Sequence, residues 1–98
     1  MISDKISERW LVNGRVQKVG FRHYTMRRAA HHSIQGAVRN LADGRVEIIA
    51  IGTQKQLDTF FSDIQKGPPF AKVQTIVREA ITGNHPDWDE FDILFTED

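Results

Sequence analysis

Two stretches of this sequence carry residues whose types and spacing could do chemistry. GRVQKVGFR runs from Gly14 to Arg22, and VRNLADG holds Asn40. In the first, a glycine-flanked loop with Arg15, Gln17 and Lys18 leads into a segment that starts at Phe21 and favours helix. The first N–H groups of a helix have no intrahelical partner and carry the positive end of its macrodipole, so a phosphate suits them. Arg22 would stand in the first helical turn, where a cation opposes the dipole by roughly 0.3–1 kcal/mol. An anion bridging the loop amides and a bidentate guanidinium removes that objection. The same pattern also fits a plain strand-to-helix connection, and an asparagine at a strand end is also a common turn former.

The elements around these groups follow from periodicity. ERWLVN (8–13) places Trp10 and Val12 on one face of a first strand, opposite Leu11. A first helix is expected from Phe21 to about His32, with Phe21, Thr25, Ala29 and His32 on one face. Two β-rich runs, 34–41 and 45–51, flank ADG, whose Asp43 and Gly44 accept turn conformations, so they form an antiparallel hairpin. Thr53 and Gln56 make a capping box, followed by Leu57, Phe60, Phe61 and Ile64 at the spacing of a buried helical face. KGPPF ends that helix, a fourth strand follows at about 72–79, GNHPDWDE is a loop, and FDILF gives a short final strand.

The order β-α-β-β-α-β, with a short C-terminal strand appended, is that of the α+β, ferredoxin-like sandwich: an antiparallel sheet with two helices on one face. In that topology the third strand lies between the first two. Those two then run parallel and end at one edge, about 9–10 Å apart. The loop after the first strand and Asn40 at the end of the second therefore face each other across a gap that fits one water or substrate group.

Composition limits what such a site can be. The chain has 98 residues, enough for one domain, with residues 1–6 expected as a loose tail. Thirteen basic and thirteen acidic residues cancel, so no long-range field favours nucleic acid or an anionic membrane, and any anion site is local. There is no cysteine, hence no thiolate nucleophile and no cysteine-ligated metal. No apolar run reaches the roughly 18 residues that span a bilayer, and the start carries no targeting pattern, which points to a cytoplasmic protein. His23, His31, His32 and His85 do not form a metal-ligand spacing, because adjacent histidines point about 100° apart on a helix. Asp87, Asp89 and Glu90 read as an acidic loop and not a calcium site.

The sequence resembles the acylphosphatase family. VNGRVQKVGFR, from Val12 to Arg22, follows the family pattern V-x-G-x-V-Q-G-V-x-F-R with one departure, Lys18 in place of glycine. GAVRNLADGRVE follows G-x-V-x-N-x-x-D-G-x-V-E, and GPPFAKV follows G-P-x-x-A-x-V. The resemblance implies a hydrolase that cleaves the carboxyl-phosphate bond of small acyl phosphates with no metal, no cofactor and no covalent intermediate. It places phosphate binding on Arg22 and on the backbone amides of Gln17, Lys18, Val19, Gly20, Phe21 and Arg22, and orientation of the attacking water on Asn40. It also implies a free-standing monomer, although the same domain type occurs inside larger hydrogenase-maturation carbamoyltransferases. A carboxylate is already a good leaving group, so positioning and charge stabilisation suffice.

The departures set further expectations. If the Lys18 position needs positive φ, lysine costs roughly 1–2 kcal/mol; if not, its ammonium adds a modest attraction. His32 and Ser33, where the family often has leucine and glycine, suggest a looser end to the first helix, and Ala37 replaces an often aromatic residue. Two other readings are a non-catalytic phosphate-binding module and an RNA-binding domain. The latter lacks the aromatic-rich signature and the basic balance that RNA-stacking sheets use.

Overall fold

The computed structural model describes residues 4–82 and 88–96. His85 and Asp87 lie outside them. The elements are β1 (Ile6–Arg15), α1 (Phe21–His31), β2 (Gln35–Asn40), β3 (Val46–Gly52), α2 (Gln54–Lys66), β4 (Lys72–Ala80) and β5 (Phe91–Ile93). The sheet order is β4-β1-β3-β2-β5, so β3 separates β1 from β2 as the topology requires. All neighbours are antiparallel except β2 and β5, which run parallel. The sheet is thus mixed at one edge, because the connection after β4 returns the chain beside β2 in the same direction. β1 begins at Ile6, inside the expected tail, and the regular part of β5 stops at Ile93 rather than at residue 95.

Trp10, Val12, Val38, Val46 and Ile48 are fully buried and, from the strand registers, share the face on which both helices pack. Leu57, Phe60 and Ile64 of α2 close that core, with the Phe60 ring 5.3 Å from Trp10 and 6.1 Å from Phe91. The capping box is complete: Gln56 N–H donates to Thr53 Oγ1 at 3.2 Å, and Thr53 N–H to Gln56 Oε1 at 2.8 Å. Removing such a cap costs about 1 kcal/mol.

The end of α1 is fastened rather than loose. Ser33 takes the left-handed φ of 58° that ends the helix, and His32 Nε2 lies 2.6 Å from Asp63 Oδ2 of α2, beside Arg28 Nε at 2.7 Å. An imidazole reaching across to the second helix replaces the apolar contact that a leucine would make. Among the described residues no helix is long and apolar enough to cross a membrane.

Candidate active site

A bulge aims the chain into the site loop. The β1–β4 register shifts between Asn13 and Gly14, and Gly14 has φ 135°. A Cβ there would sit 2.1 Å from the Lys72 carbonyl oxygen, so only glycine lets β1 lie this close to β4. β1 then runs past the level of Asn40, which is set by the rows Val12↔Val46 and Asn40↔Val46. The loop 16–20 therefore crosses above the end of β2.

Gln17 holds the loop there. Its side-chain Nε2 donates to the carbonyls of Leu41 at 2.8 Å and Arg45 at 2.9 Å, joining the loop to the β2–β3 turn. The sequence indicated a role for the Gln17 backbone only. No local pattern gives away the side chain, whose partners are carbonyls 24 and 28 positions away.

α1 starts on Gly20, at φ 78° and with no side-chain cap, and its first turn has no acidic residue. Its first internal backbone bond is donated by Tyr24 to Gly20 O at 3.1 Å. Among the described residues, no turn or loop bond is donated by the backbone N–H of Gln17 through His23. A row of donors at the positive end of a helix is thus left without protein acceptors. Lys18, inside that row, has φ 64° and is exposed. The strained alternative is the one realised, and its cost is of the order of 1–2 kcal/mol.

Five arginines, Arg9, Arg28, Arg39, Arg45 and Arg78, hold carboxylates. Arg15, Arg22 and Arg27 have no such partner among the described residues, and of these only Arg22 is half-buried. Asn40 sits on the helix-facing side of β2, in the row of Val12 and Val46, and is 7% exposed. Its Oδ1 is buried with no hydrogen-bond partner among the described residues. An orphaned acceptor of this kind costs about 1–3 kcal/mol. The structure ties the loop, through Gln17, to Leu41, the residue after Asn40, and sets Arg22 in the first turn of α1 directly after that loop. The exposed His23, Arg27 and His31 lie on the solvated face of α1, and no metal-binding cluster exists among the described residues.

The acylphosphatase family profile matches residues 8–93. The chain belongs to the acylphosphatase family. It is 49% identical over 74 residues to an acylphosphatase of Syntrophotalea carbinolica, an alignment covering 74% of this chain and 80% of that protein. An acylphosphatase of Legionella pneumophila strain Corby is 39% identical over 93 residues, which is 95% of this chain and all of that one. The crystal structure of acylphosphatase from Bacillus subtilis superposes with a TM-score of 0.81 at 37% identity, covering 91% of this chain and 98% of that one. Membership makes the chain a hydrolase, with the family's ferredoxin-like sheet.

Proposed function

We propose that this acylphosphatase-family protein hydrolyses acyl phosphates to a carboxylate and inorganic phosphate, using the backbone from Gln17 to Arg22, the Arg22 guanidinium and Asn40. The phosphoryl group sits against the loop donors, with Arg22 bidentate on its oxygens. Water, accepted by Asn40 Oδ1, attacks phosphorus in line. The phosphorus–oxygen bond to the carboxylate breaks as the bond to water forms. The carboxylate leaves without needing a proton, and the water's proton passes to the released phosphate.

No strong base is required, and an amide would not supply one near neutral pH. Catalysis is orientation by Asn40 together with charge stabilisation by donors already in place. The observation that carries the reading is the row of backbone N–H groups at the start of α1 left without acceptors among the described residues, in a loop that Gln17 bonds to Leu41, the residue after Asn40.

Hydrolysis of benzoyl phosphate in the presence of a chelator tests it. Turnover is expected to be insensitive to chelator, and Asn40→Ala to lower kcat by about 10²–10³ with an unchanged circular dichroism spectrum. A folded wild-type protein that binds phosphate but turns over nothing would be a phosphate-binding module instead.

A further inference from the structure

The turn between β2 and β3 is closed by two carbonyls, and each of them accepts twice. Leu41 O accepts from Gly44 N–H at 3.2 Å, and Arg45 O from Leu41 N–H at 2.8 Å. A carbonyl oxygen has two lone pairs, and the second on each is taken by the Gln17 amide, at 2.8 Å and 2.9 Å. Both donors of one NH₂ group thus go to a single turn. Two bonds from one planar amide fix direction as well as distance.

This grip joins two segments that share no other hydrogen bond among the described residues: loop 16–20 and the turn 41–45. On the loop side, Gln17 is half-buried and is followed by Lys18 at φ 64° and Gly20 at φ 78°. A left-handed lysine persists only where its surroundings hold the backbone in place, and the side chain just before it supplies such a hold. On the turn side, Leu41 follows Asn40 directly, and Asn40 is itself held in register with Val46. From the loop backbone to the Asn40 backbone is therefore one side chain, one hydrogen bond and the bonds of a single residue.

We infer that the Gln17 side chain is a positioning residue for the reaction: it holds the phosphate-binding loop at a set distance from Asn40, so that the attacking water lies in line with phosphorus. This rests on the hydrolase reading of the same site. In that reading the phosphoryl group is held by one segment, the loop amides and Arg22, and the water by the other. Affinity for phosphate needs only the first, whereas turnover needs the two in register. Loss of the grip therefore acts on kcat and spares phosphate binding. A misplacement of about 1 Å is enough to cost about 10²-fold in rate.

The test uses Gln17→Met, which keeps the length of the side chain and removes both donors, with benzoyl phosphate as substrate and inorganic phosphate as competitive inhibitor. kcat is expected to fall about 10- to 100-fold, with the phosphate inhibition constant within about threefold of wild type. Gln17→Ala should give the same pattern, so the outcome does not hang on the packing of one replacement. Asn40→Ala and the double variant complete a cycle. With Asn40 gone the loop has nothing to be aligned with, so Gln17→Met should then lower kcat by no more than about twofold further. A merely structural role would instead weaken phosphate binding or multiply the two losses. Wild-type turnover with kcat unchanged in both Gln17 variants, with a phosphate constant that rises as far as kcat falls, or with losses that multiply overturns this inference alone. A folded wild type that turns over nothing overturns the hydrolase reading and this inference with it.

Discussion

The face of the sheet turned away from the helices and the loop end of the sheet treat charge in opposite ways. On the open face Glu47, 7% exposed, accepts from Arg9 Nε at 2.6 Å and Arg39 Nε at 2.7 Å, and Arg9 also reaches Glu79 at 3.5 Å. At the loop end, among the described residues, half-buried Arg22 has no carboxylate, the loop amides have no acceptors and Asn40 Oδ1 has no donor. One chain thus contains both solutions. Where charge serves the fold it is neutralised in place, and where it would serve a substrate it is left unanswered at some cost to stability.

Paired variants break this contrast if it is wrong. Arg22→Ala should lower benzoyl phosphate kcat/KM by about 10³-fold or more. Its urea midpoint should hold or rise slightly, because a cation leaves the start of α1 and no partner is stranded. Glu47→Ala should do the reverse, losing about 2 kcal/mol of stability with kcat/KM within about threefold of wild type. A stability loss in Arg22→Ala as large as that in Glu47→Ala would erase the distinction.

Lys18→Gly should gain about 1 kcal/mol by relieving the left-handed backbone, measured as a higher urea midpoint. No change in either stability or rate would leave the strain without consequence.

A pH series sharpens the satisfied side. Burial alone would raise the Asp63 carboxyl, but its hydrogen bonds with His32 and Arg28 outweigh this and hold it below its ordinary value. Its contribution to stability is therefore complete above the unfolded value of about 3.9 and disappears as pH falls through the lower folded value. Asp63→Asn should flatten the acid limb of the urea midpoint against pH, whereas Asn40→Ala should leave it as in wild type.

What the sequence disclosed was what is local. The capping box at Thr53, the stop at Gly67 and the buried stripe of α2 depend on residues within a turn or two of each other, and all are present, with Phe61 of the stripe half-buried at the edge of the core. The place of β3 between β1 and β2 could be read as well, because strand order follows from element order. Other features depend on partners far along the chain or on backbone angles that several residue types share. The parallel pairing of β5, the bridge made by Gln17, the reach of His32 to Asp63 and the sign of φ at Lys18 are of that kind. The unpartnered state of Asn40 Oδ1 belongs with them, since it is a property of everything packed around that atom.

The two bonds from Gln17 tie the loop to carbonyls of the β2–β3 turn, so they can form only after the β2–β3 hairpin has closed and β1 lies beside β3. The cradle is then among the last parts of the molecule to be completed as it folds and among the first to be lost as it opens. A bound phosphate would act on the rate of unfolding and leave the rate of folding as it was. The site would thus lengthen the life of the native state without helping the chain to reach it.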